Sequence, residues 1–302
     1  KAVSAAYTGG YDDGTFKPDA KISRQEAAVM IARFVPTYGN ATSLSKFKDS
    51  SQIADWASAS LSRVSGKGYI GAYDDGKLHP TDSLTRAQTA KIITDIIGKE
   101  SIVTSSTTLS KDGASLSGKI YSNGVTISKD LDDGEATISN CVVLGTLTVQ
   151  GGDDSGSIVI QNSRVANATV ARSSDPVGLV LKGETTVNTL NAEKTATIET
   201  SSLAGGDFGA GAKTLNVAGS SDITLKGTFP KVNIDGREAE LTLESGTITD
   251  LNVTTSAKES IINVESKTTV TNATVNAQSS FYGDGTIRAM SVQANNVTYE
   301  KK

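Results

Sequence analysis

Apolar residues follow two different patterns along this chain, and one replaces the other near residue 100. Before that point they keep the spacing of one face of a helix, as at Ala27, Met30, Ile31 and Phe34, and again at Ala90, Ile93 and Ile97. From about residue 103 the helical spacing disappears, and short β-branched runs stand in a background of Thr, Ser, Asn and Gly. The chain is therefore predicted to have a small helical region followed by a region of strands.

The β-branched runs start roughly 20 residues apart, which is typical of a β-solenoid. They lie at Ile138, Ile158–Ile160, Leu179–Leu181, Ile198, Ile223–Leu225, Leu241–Leu243, Ile261–Val264, Phe281–Tyr282 and Val297–Tyr299. A second spacing of apolar residues follows several of these runs, for example at Val165, Ala168 and Val170. Two strands in each coil, with small apolar residues facing a narrow core, would give both patterns. We predict a right-handed parallel β-helix over residues 103–302.

Polar segments between the runs are predicted to form the corners of the coils. Three of them are 161–163, 244–246 and 283–285, and the Gly- and Ala-rich stretch 204–213 is predicted to be an inserted loop. A β-sandwich is the alternative fold. It would require hairpin signals between strands, and only Asn123-Gly124 provides one.

An internal repeat organises the helical region. The sequence GYDDGTFKPDAKISRQEAA at 10–28 returns as AYDDGKLHPTDSLTRAQTA at 72–90, at one offset of 62 residues. Each copy is predicted to be a turn followed by a helix with a capping box, formed by Ser23 with Glu26 and by Thr85 with Gln88. Only the second copy has an upstream half, which predicts a helix that ends near residues 66–68.

The second copy reads Phe-x-Asp, Trp-Ala, Gly-Tyr-Ile, Tyr-Asp-Asp-Gly, Pro and Thr-Arg-Ala-Gln in order, and it closely resembles the S-layer homology motif of bacterial surface proteins. Ala72, Leu78, Gln25 and Gln88 depart from the usual motif. The resemblance implies S-layer homology repeats over residues 1–100, with an incomplete first copy at 1–38 and a second copy at 47–98. Members of the family usually have three repeats packed as a pseudo-trimer, so we expect the sequence to begin inside a longer protein.

The resemblance implies that the Thr-Arg-Ala-Glu segment helps to bind an anionic, often pyruvylated, secondary cell-wall polysaccharide. Arg24 and Arg86 occupy its arginine position. At the start of a helix, free N–H groups favour an anion, and a guanidinium adds bidentate recognition of a carboxylate. The alternative is that the helices are merely capped and that the arginines pair with nearby aspartates.

Three other residues of the repeats have two possible roles each, and a fourth has a structural role. Tyr11 and Tyr73 could stack on sugar or fill the small core. Asp49 could bind sugar hydroxyls or cap the helix that follows it. Trp56 is predicted to lie in the core.

Composition excludes several classes of protein. The first 100 residues contain 13 Lys and Arg and 11 Asp and Glu, and the remainder contains 16 and 22, which gives the net charge of −4. Neither part is basic enough to indicate nucleic-acid binding, and no apolar run is long enough for a membrane span. The single cysteine, Cys141, excludes an internal disulfide and is predicted to be buried and inert.

Candidate chemistry in the β-helix is sparse. Hydrolases and lyases of this fold need carboxylates or bases gathered on one face, and we find no acid at one position in neighbouring coils. Asp130, Asp132 and Asp133 cluster near a corner and are calcium candidates, although a solvated turn explains them as well. His79, the only histidine, has no partner that the sequence reveals. The sequence predicts no enzyme and no cofactor other than calcium.

The resulting hypothesis is an extracellular protein of a bacterial cell wall or surface layer. Its repeats would attach it non-covalently to secondary cell-wall polysaccharide. Its β-helix would be structural, adhesive or able to bind extracellular polysaccharide. A tethered polysaccharide lyase or glycoside hydrolase and a subunit of an S-layer lattice are the alternatives.

Overall fold

The computed structural model describes residues 8, 10–11, 13–204 and 211–301. Three α-helices, α1 to α3, occupy Arg24–Phe34, Asp55–Gly66 and Arg86–Lys99, with short 3-10 helices at Leu44–Lys46, Ser50–Gln52 and Lys129–Leu131. Both predicted capping boxes are present, at the starts of α1 and α3. The helix predicted to end near residues 66–68 is α2.

In the described part of the chain, twenty strands follow the helices and form a parallel β-solenoid of about nine coils. In chain order, β1 to β20 are Ile102–Val103, Thr107–Leu109, Ala114–Ser117, Ile120–Tyr121, Val125–Ile127, Ala136–Ser139, Val142–Val149, Ile158–Gln161, Arg164–Val170, Val177–Lys182, Thr186–Ala192, Ala196–Glu199, Gly211–Val217, Asp222–Ile234, Glu240–Val253, Ser260–Val264, Thr269–Val275, Ser279–Tyr282, Thr286–Val292 and Thr298–Glu300. Every ladder between these strands is parallel, which confirms the β-helix and excludes the β-sandwich.

The register of the ladders pairs equivalent apolar residues of successive coils, as the spacing in the sequence predicts. Ala168 pairs with Leu190, and Leu190 pairs with Leu215. These residues are fully buried, as are most of the inward-facing residues of the other coils. The residues of the second apolar spacing therefore form rows in the core, and each row runs along the solenoid axis.

Two predicted irregularities differ in the structure. The corner at 244–246 lies inside the continuous strand β15, because glycine lets the strand bend there without leaving the ladder. Gly246 has a φ of 96°, and a Cβ added to it would lie 1.9 Å from the carbonyl oxygen of Gly227. The predicted loop insertion is shorter at its end, since Gly211–Lys213 already belongs to β13 and residues 205–210 lie outside the described part.

The helical region has a second buried apolar cluster, to which α1, α2, α3 and the loop that precedes α3 contribute. Our prediction that Trp56 lies in the core is wrong, since Trp56 is 55% exposed. On α3, Ile92 and Ile96 face inward, whereas Ile93 and Ile97, which keep the helical spacing in the sequence, face solvent. Because α3 carries isoleucines on adjacent faces, apolar spacing alone did not identify the buried one.

The helical region packs against the side of the solenoid. Ile120 and Val142, at the starts of β4 and β7, belong to the same buried apolar cluster as residues of α1, α2 and α3. Arg63 of α2 also forms a bidentate ion pair with Glu184, which precedes β11, at 2.6 and 2.7 Å. The division into domains at residues 100 and 103 remains a prediction, and the contacts cross it. Within the described residues, no helix has the length and apolarity that a membrane span requires.

Candidate functional site

The two repeats build their turns in the same way. In the first, Lys17 lies 4.5 Å above the ring of Tyr11 and pairs with Asp13 at 2.7 Å, and the Tyr11 hydroxyl donates to Glu26 at 3.5 Å. The carboxylate of Glu26 also closes the capping box of α1. The hydroxyl of Tyr11 thus forms a hydrogen bond with the third residue of the helix that follows the turn.

In the second repeat, His79 takes the place of Lys17, and Gln88 takes the place of Glu26. The His79 ring meets the ring of Tyr73 edge-on at 5.2 Å, and Gln88 donates to the Tyr73 hydroxyl. His79 has partners that the sequence did not reveal, because its two ring nitrogens lie 2.8 Å from Asp75 and 3.3 Å from Asp82. Its spacing of four and three residues from these acids was the available signal.

Arg24 is enclosed by the second repeat. Its guanidinium donates to the carbonyl oxygens of Leu78 and Gly71, each at 2.7 Å, and to the Tyr73 hydroxyl at 3.1 Å. The guanidinium also lies 4.6 Å from the centre of the Tyr73 ring, and the residue is only 6% exposed. Burial lowers the pKa of Arg24. These contacts favour a structural role, in which Arg24 joins one repeat to the turn of the next.

Arg86 holds the same position at the start of α3 but is exposed. No described residue forms a hydrogen bond or ion pair with its guanidinium. It therefore stands at a capped helix start with its donors available to solvent, which is the arrangement that favours an anionic ligand.

The helix that Arg86 starts is also exposed along one face. At the offset of 62 residues, the counterparts of Ile31 and Val35 are Ile93 and Ile97. Ile31 and Val35 are buried in the repeat core, whereas Ile93 and Ile97 are 51% and 65% exposed. The solvent-facing side of α3 is thus apolar at the same positions that α1 buries.

Asp49 uses its carboxylate within the repeats, and its role in binding sugar hydroxyls stays a prediction. Its carboxylate accepts the backbone N–H groups of Leu78 and His79 at 2.8 and 2.7 Å, and the side chain is buried. It makes no capping hydrogen bond to the short helix that follows. Asp49 instead fixes the loop whose carbonyl oxygens receive Arg24.

Gln25, which departs from the usual motif, also joins the repeats. Its side-chain oxygen accepts the backbone N–H of Ala54, the residue that precedes α2, at 3.1 Å. Together with Arg24, it makes the start of α1 a contact surface between repeats.

Comparison with known proteins now identifies the helical region. Residues 1–28 and 46–90 match the S-layer homology domain. The chain carries S-layer homology repeats. It is 35% identical over 99 residues to cell surface glycoprotein 1 and 35% identical over 89 residues to a cellulosome-anchoring protein, both of Acetivibrio thermocellus. No solved structure matches the chain.

The aligned segments cover 31% and 28% of this chain, and only 4% and 20% of the two relatives. The similarity is therefore one of the S-layer homology repeats and not of whole proteins. It supports a bacterial cell-surface or cell-wall location with anchoring through the repeats.

The acidic corner of the solenoid is organised by an arginine. Arg172, whose side chain is 4% exposed, lies 3.5, 2.9 and 3.0 Å from carboxylate oxygens of Asp132, Asp133 and Asp175. Asp130 accepts from Ser128 at 3.1 Å. Residues 112–113 and 131–135 line an open cavity of about 670 Å³ beside this corner. Within the described part of the chain, no group of ligands suited to a metal ion assembles, so calcium gains no support there.

One pair of acids departs from our expectation that none recurs in neighbouring coils. Asp222 and Glu240 face each other in register at the starts of β14 and β15. Glu240 is engaged by the side chain of Asn263 at 2.7 Å, and the next position in the row is Ile261. The row of acids therefore ends after two coils. Cys141 is buried as predicted, and burial raises the pKa of its thiol.

Proposed function

We propose that the S-layer homology repeats bind an anionic secondary cell-wall polysaccharide and so hold the protein at the cell surface. The anchoring role of the repeats is supported by their match to the family and by similarity to a relative named as a cellulosome-anchoring protein. The polysaccharide is a proposal that rests on the chemistry of the repeats.

The contrast between Arg24 and Arg86 carries this proposal. Both stand at the start of a capped helix, but Arg24 donates to protein oxygens, whereas Arg86 faces solvent. A guanidinium beside free helix N–H groups recognises a carboxylate such as that of a pyruvylated sugar. Tyr73, which is partly exposed nearby, adds a surface on which a sugar ring can stack.

Retention on purified cell walls tests the proposal. The unchanged chain should be retained, and Arg86→Ala should lower the bound fraction about tenfold or more, because a charge-assisted bidentate contact is lost. Arg288→Ala is the matched control, since Arg288 is exposed at the far end of the solenoid. Equal retention of all three proteins would remove Arg86 from the site.

We propose further that the solenoid is a non-catalytic structural, adhesive or carbohydrate-binding module. The contact of Asn263 with Glu240 at 2.7 Å supports this, because it gives a structural use to one member of the acid pair that Asp222 and Glu240 form. Incubation with a panel of polysaccharides should give no new reducing ends or unsaturated products. Product that disappears in Asp222→Asn would instead establish the tethered enzyme. Sheets seen by electron microscopy of the purified chain would favour the lattice subunit.

A further inference from the structure

The hydroxyl of Tyr73 receives two hydrogen bonds from inside the repeats. The guanidinium of Arg24 donates to it at 3.1 Å, and the side-chain amide of Gln88 donates to it as well. The orientation of this amide is fixed, because its oxygen accepts the backbone N–H of Thr85 at 2.9 Å in the capping box of α3. A guanidinium and an amide nitrogen can only donate, so the Tyr73 oxygen acts as an acceptor toward both.

The proton of the same hydroxyl has no acceptor in the described part of the chain. The Tyr73 side chain is held in place, since Arg24 lies 4.6 Å from the centre of its ring and the His79 ring meets it edge-on at 5.2 Å. Tyr73 is 40% exposed, so solvent reaches this side chain. The second repeat therefore presents an O–H donor that a ligand can use.

The first repeat uses the equivalent proton internally. The Tyr11 hydroxyl donates to the carboxylate of Glu26 at 3.5 Å, and an ionised carboxylate can only accept. Gln88 occupies the position of Glu26, at the third residue of its helix, and departs there from the usual motif. The glutamine thus reverses the direction of the hydrogen bond with the tyrosine, and it removes a negative charge from the helical turn that begins with Arg86.

We propose that Gln88 makes the second repeat selective for an anion, because it leaves the proton of the Tyr73 hydroxyl available to a carboxylate or phosphate oxygen of the cell-wall glycan. This inference rests on the proposed function, in which Arg86 binds the same anionic glycan. An O–H group and a guanidinium both form charge-assisted hydrogen bonds with an oxyanion, whereas a nearby carboxylate would repel it. Tyr73 contacts the ligand, and Gln88 is a positioning residue that acts through Tyr73.

Binding of each protein to purified cell walls over a range of concentrations tests the role of Tyr73. Tyr73→Phe keeps the ring and lacks the O–H group, so it should bind about tenfold more weakly than the unchanged chain, the effect of one hydrogen bond to a charged group. Tyr11→Phe is the matched control, and it should bind like the unchanged chain, since Tyr11 donates to Glu26. Equal binding by Tyr73→Phe and the unchanged chain would overturn the proposal.

Gln88→Glu tests the role of Gln88 without removing the capping box, which Glu26 closes in the first repeat. The introduced carboxylate should accept the Tyr73 hydroxyl and repel an anion, so binding should weaken about tenfold or more. Gln293→Glu is the control for charge, because Gln293 is exposed and follows β19 at the far end of the solenoid. A Gln88→Glu protein that binds as well as Gln293→Glu would contradict the proposed selectivity.

Chemically treated walls distinguish recognition of the ligand from a change in stability. One sample has its carboxylates reduced to alcohols, and a second has its phosphate removed with hydrofluoric acid. On the walls that lack the recognised anion, Tyr73→Phe and the unchanged chain should bind equally weakly, and that treatment identifies the anion. A deficit of Tyr73→Phe that is the same on all walls would show a structural role and overturn the proposal.

Arg86→Ala separates this inference from the proposed function. Weaker binding by Arg86→Ala but not by Tyr73→Phe would refute only the inference. Equal binding by Arg86→Ala and the unchanged chain would refute the proposed site of the repeats, and failure of the unchanged chain to bind the walls would refute both.

Discussion

One sequence position has two physical environments in the repeats. Arg24 and Arg86 are equivalent in the motif, but only Arg24 has a following turn to enclose it. Arg24→Ala should lower the free energy of unfolding of the repeats by about 3 kcal/mol, because buried carbonyl oxygens lose charge-assisted hydrogen bonds. Urea unfolding followed by Trp56 fluorescence measures it.

Arg86→Ala is the matched control for that measurement. The same atoms are removed from an equivalent helix start, but no described residue loses a partner, so stability should hardly change. Equal destabilisation by the two substitutions would show that the Arg24 hydrogen bonds contribute nothing beyond the effect of arginine on the helix.

The sequence could not distinguish these two environments. The acceptors of Arg24 are mainly backbone carbonyl oxygens, which every residue has, so no residue type marked them. The capping boxes were predictable, because Ser23 and Thr85 act on groups within one turn of their own helix. Local hydrogen bonds can be predicted from spacing, and those between repeats cannot.

At the scale of elements, the solenoid bends where two glycines stack in neighbouring coils. Gly227 and Gly246 pair in register and have φ values of 110° and 96°. Gly246→Ala should cost at least about 3 kcal/mol, since its Cβ would meet the carbonyl oxygen of Gly227. Circular dichroism of the strands during urea unfolding measures the loss.

Gly113→Ala separates the two causes of that cost. Gly113 also has a positive φ, of 70°, but a Cβ there would meet nothing within 4 Å. It should cost about 1 kcal/mol, from the backbone conformation alone. A Gly246→Ala protein no less stable than Gly113→Ala would mean that the coils separate at no cost.

The coils themselves were predictable, for a reason that does not extend to α3. In a narrow parallel core the same positions of every coil face inward, so the same apolar spacing recurs along the sequence and indicates the register. On α3, Ile92 and Ile96 compete with Ile93 and Ile97, and only the neighbouring elements decide which pair is buried.

At the scale of the molecule, the repeats and the solenoid are joined by contacts that no sequence motif predicts. Ile120 and Val142 look like ordinary strand residues, and Arg63 and Glu184 are 121 positions apart in the sequence. The half-buried geometry of that ion pair makes it stronger than a surface pair, because solvent screens it less. An anchor coupled in this way would transmit a load on the solenoid to the repeats.

A double-mutant cycle on Arg63→Ala and Glu184→Ala measures this coupling. We expect an interaction free energy of about 1–2 kcal/mol in the unfolding of the repeats. Glu184→Ala alone should move the unfolding that Trp56 reports, although Glu184 belongs to the solenoid. The exposed pair of Arg237 and Glu259, on a distant coil, is the matched control and should show no measurable coupling, because solvent screens it. If Glu184→Ala leaves the Trp56 transition unchanged, the repeats unfold independently and the junction does not connect anchor and solenoid mechanically.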